Sequence, residues 1–577
     1  MSEEFQVVGT NPDALFTLKI HRGDGMALLA MNWKKGKPPN DFVGFAIEYR
    51  EPGGIKFFPL NNRLAFPKTD GGVNPNRLST RFSPIQKFRW VHFPRNAEKN
   101  GDFTYRVTPV FMDDADKLSY GEFQEASLEL RRETFPGKLN VCFTRGFVSS
   151  QAFVDKFGSD AAIATLLPAK AKDGLDFTPT HPKTKQALEW MGFEARSAIL
   201  EVLDQAIVDK DAKVGVVAYD LNEPGIVSRL EKLKGRVRVI IDDEGDHGAT
   251  GSAENKAEQR LIQSAGAANV KRQHMGALQH NKTIVVDGPS VQAVICGSTN
   301  LSWRGFFVQS NNAIVMRGPE PVKLFSAAFE AYFSNDNDVD VFGKAGCAQF
   351  IPVGQQGINA RLGFSPYSAK HAQLEKIAKD ISEHTHSSLL FSLAFLFQTP
   401  GPIASAVSKV IAADKSFVFG ISDKDATDVV EGGIEVQTPD GKRRLVSAAA
   451  LQKNIPEPFK REPIGGGGTR MHHKFVVIDF DKPTGRVYTG SYNFSGRADR
   501  QNGENLMLIR DRRVAVSYMI EAIRIFDHYE FRLVQQEAKD AKKELALQKP
   551  PRQPGEKPWW SKDYTNERRI RDRKLFA

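Results

Sequence analysis

Met471-His472-His473-Lys474-Phe475-Val476-Val477-Ile478-Asp479, with Gly490-Ser491-Tyr492-Asn493-Phe494-Ser495 a little downstream, decides how the rest of this chain is read. A near copy lies earlier: His280-Asn281-Lys282-Thr283-Ile284-Val285-Val286-Asp287, then Gly297-Ser298-Thr299-Asn300-Leu301-Ser302. Both copies run His-x-Lys-x4-Asp, an apolar strand, then Gly-Ser-x-Asn-x-Ser. An extended chain puts residues i and i+2 on one face, so His280 and Lys282 point one way, as do His472 and Lys474. Residues 283–286 and 475–478 are apolar or β-branched and suit buried strands. A second strand, 291–296 or 486–489, ends at a Gly-Ser-x-Asn turn that brings a hydroxyl and an amide to the same face.

Each copy therefore supplies an imidazole that can attack or give a proton, a fixed cation, and neutral donors. That set suits a phosphate diester, whose transition state spreads negative charge over the non-bridging oxygens. One imidazole can attack phosphorus while the other protonates the leaving oxygen. Neither copy carries a cluster of acids suited to a divalent ion, so neither a metal nor a cofactor is expected. One His-x-Lys pair, or one Gly-Ser-x-Asn turn, is usually only strand and turn. Two copies of both, in the same order, make coincidence a poor account.

On these motifs the sequence resembles the phospholipase D superfamily over roughly residues 138–528. The second motif is most similar to that of its bacterial endonuclease members. The resemblance implies two similar α/β lobes with one active site at their interface, and metal-independent cleavage of a phosphodiester through a phosphohistidine. It implies that one of His280 and His472 is the nucleophile and the other the general acid. Lys282, Lys474, Asn300 and Asn493 would hold the phosphate, with Ser298 and Ser491 in the same catalytic set. Asp287 and Asp479 would support the site without reacting. The family often places a Glu shortly after Gly-Ser-x-Asn to orient a histidine; the second copy has Glu504, whereas the first has Asn311 at the equivalent offset. A carboxylate stabilises the imidazolium beside it. Pairing within its own lobe would put Glu504 on His472, making His472 the acid and His280 the nucleophile; pairing across the interface is the alternative.

The chain has 577 residues, 41% of them apolar, a net charge of +10 and three widely spaced cysteines. The length allows several domains. The cysteines form neither a disulfide framework nor a metal spacing. The first residues lack an apolar signal region and no uninterrupted apolar run spans a bilayer, so a cytoplasmic protein without a transmembrane segment is expected. The positive charge favours an anionic partner: nucleic acid as substrate first, anionic phospholipid as the alternative. The assembly state is not readable.

Around the motifs, residues 1–135 read as short strands separated by Gly, Pro and Asn clusters, an immunoglobulin- or fibronectin-III-like β-sandwich. Residues 136–345 and 346–535 alternate strand and helix, the two phospholipase D-like α/β lobes. The acidic run Asp242-Asp243-Glu244-Gly245-Asp246 reads as a solvated loop, and His247 and His274 as flanking residues without a chemical role. Gly465 to Gly468 reads as a flap or a linker. Residues 536–577 form a tail with twelve Lys/Arg against seven Asp/Glu. Its Trp559-Trp560 and Arg568 to Lys574 could stack on bases and touch phosphates, or dock on the protein itself.

Overall fold

A computed structural model describes residues 5–67, 78–94, 96–130, 133–145, 156–158, 163–393, 396, 401–423, 433–437, 443–447, 471–540 and 545–577. The glycine run 465–468 lies outside the described residues. The chain divides into two compact units, residues 133–515 and residues 1–132 with 516–577.

The first of these units, residues 133–515, is built from two mixed sheets among its described residues. Among the described residues the first sheet has the strand order Leu139–Phe143, Asn312–Arg317, Gln292–Gly297, Thr283–Asp287, Lys213–Ala218, Val237–Ile241, Val270–Arg272. The second runs Ile351–Pro352, Ala360–Ser365, Glu504–Ile509, Arg486–Gly490, Lys474–Ile478, Ser388–Leu393, Phe417–Asp423, Gly433–Gln437, Arg443–Ser447. The motif strands occupy matching places. Thr283–Asp287 lies antiparallel between Gln292–Gly297 and Lys213–Ala218, and Lys474–Ile478 antiparallel between Arg486–Gly490 and Ser388–Leu393. In both lobes the next strand outward is parallel, reached through a helix: Pro224–Leu233 in one, Pro402–Ala413 in the other. Parallel pairing requires such a crossover.

Buried strands explain the sequence pattern. Ile284, Val286, Ala293 and Ile295 join Val214 and Val216 in a core against the helices Thr184–Val208 and Pro224–Leu233. Val476, Ile478, Leu506 and Leu508 do the same beneath Leu374–His384 and Pro402–Ala413. The alternate faces of the sheets meet near Cys296 and Met507, whose sulfurs are 3.5 Å apart.

Among its described residues the other unit contains two larger antiparallel sheets and the short pair Asn61–Asn62 with Leu78–Ser79. Gln6–Val8, Phe16–Gly23, Met26–Trp33 and Arg89–His92 form one. Leu118–Tyr120, Asp102–Met112, Phe42–Arg50 and Phe58–Pro59 form the other, with Gln124–Glu129 also paired to Asp102–Met112. One hydrophobic core holds Phe16, Ile20, Leu29, Phe45, Tyr105 and Val107, so the sheets stack face to face. The tail belongs to this core. Trp560 is 2% exposed within it, Trp559 stacks on Phe88 at 5.2 Å, and the indoles donate to the carbonyls of Pro39 and Phe42. Arg573 lies 3.8 Å over the Tyr564 ring. Of the two readings of Trp559 and Trp560, docking on the protein is the one observed. Residues 512–540 form one helix, Arg512–Asp540.

Candidate active site

The two His-x-Lys pairs face each other. The imidazoles of His280 and His472 have ring centroids 6.2 Å apart, and both residues, with Lys282 and Lys474, are at most 8% exposed. Each lysine ammonium donates to the carbonyl of its own histidine, Lys282 at 2.5 Å and Lys474 at 2.8 Å. The cations are thus folded back beside the imidazoles, where a phosphate would sit.

Each ring is held at Nδ1 by the opposite lobe. His280 Nδ1 lies 2.9 and 3.0 Å from the two carboxylate oxygens of Glu504. His472 Nδ1 lies 2.8 Å from Asn311 Oδ1 and 3.1 Å from the Ser298 carbonyl. This corrects the expectation that Glu504 pairs with His472. Glu504 begins, and Asn311 precedes, an interior strand of its own sheet, and each side chain reaches the motif histidine of the other lobe. The middle residues of the motifs repeat the exchange. Asn505 donates to Asn281 Oδ1 at 2.6 Å, and Asn312 lies 3.3 Å from His473 Nδ1. Sequence reading missed these four residues, although Asn311-Asn312 and Glu504-Asn505 stand at one offset in both copies.

The Gly-Ser-x-Asn-x-Ser turns have a steric and a capping logic. Gly297 and Gly490 adopt φ of +128° and +141°, and a Cβ there would meet the carbonyl oxygens of Asn312 and Asn505 at 2.5 and 2.2 Å. Ser298 Oγ donates to Asn311 Oδ1 at 3.0 Å, while Ser491 Oγ accepts from the Asn505 amide at 3.0 Å. The serines thus position the residues that hold the histidines. Ser302 and Ser495 cap the short helices Trp303–Phe307 and Gly496–Arg500. Asn300 is 2% exposed and donates to Asp220 Oδ2 at 2.7 Å. Asn493 is half-buried.

The motif aspartates are not part of this cluster. Each closes the far end of its strand, about 16 Å from the lysine at roughly 3.3 Å per residue. Asp287 is exposed and bonds to Gln292 at 3.1 Å. Asp479 is buried and accepts from the amides of His386 and Ser387 at 2.9 and 2.8 Å, fixing the start of Ser388–Leu393. Two residues dismissed on sequence grounds are drawn in instead. Asp242 is fully buried rather than solvated, and His247 lies 2.8 Å from it and 3.0 Å from Asp220. His274 pairs with Asp243 at 2.9 Å.

The electrostatics follow from burial. Burial, then the Lys282 and Lys474 charges, hold His280 well below the ordinary imidazole range. Burial, then Lys474, Lys282 and His280, do the same for His472. Burial lowers Lys282 to about 8 against the pull of Glu504 and Asp220, and raises Glu504 to about 8 against the pull of Lys282. We therefore assign His280 as a neutral ring donating its Nδ1 hydrogen to Glu504. That leaves the Nε2 lone pair available.

The chain matches the family described as "Cardiolipin synthase, PLD-like domain" over residues 203–333 and 421–526. It is 48% identical over 48 residues to a phospholipase D of Rickettsia prowazekii (strain Madrid E), and 46% identical over 48 residues to one of Rickettsia felis. Those matches cover 8% of this chain, which spans only 22% of the length of each relative. Among solved structures it is similar to a phosphatidylserine synthase of Haemophilus influenzae Rd KW20, at 15% identity and TM-score 0.39 over 61% of this chain and 92% of that one. It is also similar to Nuc of Salmonella typhimurium, at 25% identity and TM-score 0.20 over 24% and 86%. Both His-x-Lys pairs fall inside the two matched segments, and residues 203–333 and 421–526 belong to this PLD-like family of the phospholipase D superfamily.

Proposed function

We propose that this protein is a phosphodiesterase that works through a phosphohistidine, without a metal, and that its substrate is nucleic acid. The observation that carries the reading is the pair of buried imidazoles, each held at Nδ1 by the opposite lobe, with a lysine beside each. In this reading His280 Nε2 attacks phosphorus and forms the P–N bond while the P–O bond to the leaving group breaks. His472 gives the leaving oxygen its proton. Water, deprotonated by His472, then displaces His280 and releases the phosphomonoester. Lys282, Lys474, Asn300 and Asn493 hold the non-bridging oxygens.

The position of Glu504 supports these roles, by a different route from pairing within its lobe. Phosphorylation at Nε2 leaves a positive ring with hydrogen on Nδ1, and Glu504 stabilises that charge on His280. His472 has only neutral acceptors at Nδ1, so its imidazolium is the stronger acid of the two.

The net charge of +10 supports a polyanionic substrate. The names of the family and of the Rickettsia relatives support phospholipid as the competing substrate. Among the described residues no helix is long and apolar enough to cross a membrane. The test is to incubate the protein in EDTA with plasmid, single-stranded DNA, RNA and phospholipid vesicles, beside His280→Ala as control. We expect wild-type cleavage of nucleic acid. Cleavage of lipid alone would move the substrate, and activity that requires added magnesium would overturn the mechanism.

A further inference from the structure

One polar network beside the site has no role in the reaction as written. His247 stands between Asp220 and Asp242, with Nε2 3.0 Å from Asp220 Oδ1 and Nδ1 2.8 Å from Asp242 Oδ2. Carboxylate oxygens only accept, so both ring nitrogens must carry hydrogen and the ring is an imidazolium. Burial works against that charge, but the two carboxylates outweigh it and lift His247 to about 11. Burial likewise pushes Asp220 up, and His247, with Lys282 and Arg304, outweighs it and holds Asp220 below the ordinary range.

Each carboxylate has a second task. Asp220 Oδ2 accepts from Asn300 at 2.7 Å and from Ser302 at 3.3 Å. Asp242 Oδ1 accepts at 2.7 Å from the backbone amide of Gln279, the residue before His280. Tyr219 fills the space between, its ring 4.5 Å from His247 and 4.8 Å from His280. We propose that His247 is a positioning residue: by joining Asp220 to Asp242 it fixes the phosphate-holding Asn300 and the main chain bearing His280 from a single point. The proposal rests on the phosphodiesterase reading above.

The remaining groups around the ring fit this role. Glu254 accepts from the Leu221 amide at 3.0 Å, and burial keeps its carboxyl above the ordinary range. Arg272 donates to the carbonyls of Asp242 and His247 at 2.8 and 2.7 Å. Asp220, His247 and Glu254 also form the one group among the described residues with ligand atoms close enough, within 4.8 Å, to hold a metal ion. Both nitrogens of His247 are already committed to carboxylates, so the group holds a proton. Without His247 the two carboxylates would face each other, and Asp220 could turn from Asn300 toward Lys282.

The experiment uses the full chain labelled with 15N at histidine, with His247→Gln assigning the signal by its loss. We expect the wild-type His247 ring to stay doubly protonated from about pH 6 to 9, far above the ordinary titration near 6.5. In the cleavage assay His247→Gln should lower kcat about 10²-fold, the scale of a small misplacement of reacting groups, with a smaller change in KM. His247→Arg keeps a charge and two N–H donors and should recover most of that loss. His247→Gln should also regain activity toward acid pH, where Asp220 and Asp242 can share a proton. A wild-type His247 that titrates near 6.5, or a His247→Gln protein with wild-type kcat and pH profile, would overturn the proposal. The titration needs no substrate, so it decides the protonation even if no diester is cut. Loss of activity in His280→Ala with none in the His247 variants would leave the phosphodiesterase reading standing alone.

Discussion

Glu504 bonds across the lobe interface to His280, at 2.9 Å from Nδ1, and not to the histidine of its own lobe. The residue that matches it in the first lobe, Asn311, does the same for His472 at 2.8 Å. Two equivalent bonds, one to an ionisable carboxyl and one to an amide that cannot ionise, make two otherwise similar imidazoles unequal.

The inequality predicts where the phosphoryl group rests. Quenching a reaction on phosphate-labelled substrate in denaturant should leave label on the peptide holding His280. Glu504→Gln keeps an acceptor at Nδ1 but removes the charge, and we expect the rate to fall about 10²–10³-fold, the scale of losing one charge-stabilising group. Label on the peptide holding His472 would reverse the roles.

The two histidines act on one diester in one place. His280→Ala and His472→Ala should each remove nearly all turnover, and the double variant should be little worse than either single one, as for residues that work as a unit. A substrate with a very good leaving group needs little protonation. It should restore bond cleavage in His472→Ala and not in His280→Ala. Near-native activity in either single variant would contradict a shared site.

The pH dependence follows from the lowered histidines. In the free protein both rings are neutral near pH 7, because burial and the lysines oppose their charge. The pair therefore lacks the proton that the leaving oxygen needs. A bound diester brings negative charge against Lys282 and Lys474, which favours the imidazolium and raises its pKa. We expect kcat/KM, which reports the free protein, to rise as pH falls from about 8 toward 6, with kcat flatter. Lys282, lowered to about 8, loses its charge above that pH, so KM should climb there. A kcat/KM profile flat from about pH 6 to 9 would refute this assignment of charges.

What the sequence disclosed and what it hid have physical reasons. The strands 283–287 and 474–478 were legible because burial on both faces demands continuous apolar runs, and the histidines and lysines because their chemistry is written twice. The partner of Glu504 was not legible: offset along the chain says nothing about which lobe a strand edge faces. Asp287 and Asp479 carry the same motif letter, yet one is exposed and the other buried on amides, because they end strands that meet different neighbours. His247 was passed over because its partners, Asp220 and Asp242, lie on two other strand ends that only the parallel pairing of Lys213–Ala218 with Val237–Ile241 brings together.

The tail supplies a last prediction. Base-stacking aromatics must expose a ring face, whereas Trp560 is 2% exposed in the sandwich core and its indole donates to the Pro39 carbonyl at 3.3 Å. Arg569 pairs with Asp563 at 3.3 Å and Arg573 covers Tyr564, so part of the basic run is also spent within this unit. Trp560→Ala should therefore cost about 3–5 kcal/mol of stability, as for other buried aromatic truncations. The midpoint of thermal unfolding for this unit should drop by roughly 10 °C, while affinity of the folded protein for single-stranded DNA stays unchanged. A stacking residue would behave oppositely, losing about 1–3 kcal/mol of binding per base with the midpoint unmoved. Calorimetry and a binding titration on the same preparation separate the two, and weakened binding at an unchanged midpoint would return the tail to nucleic-acid recognition.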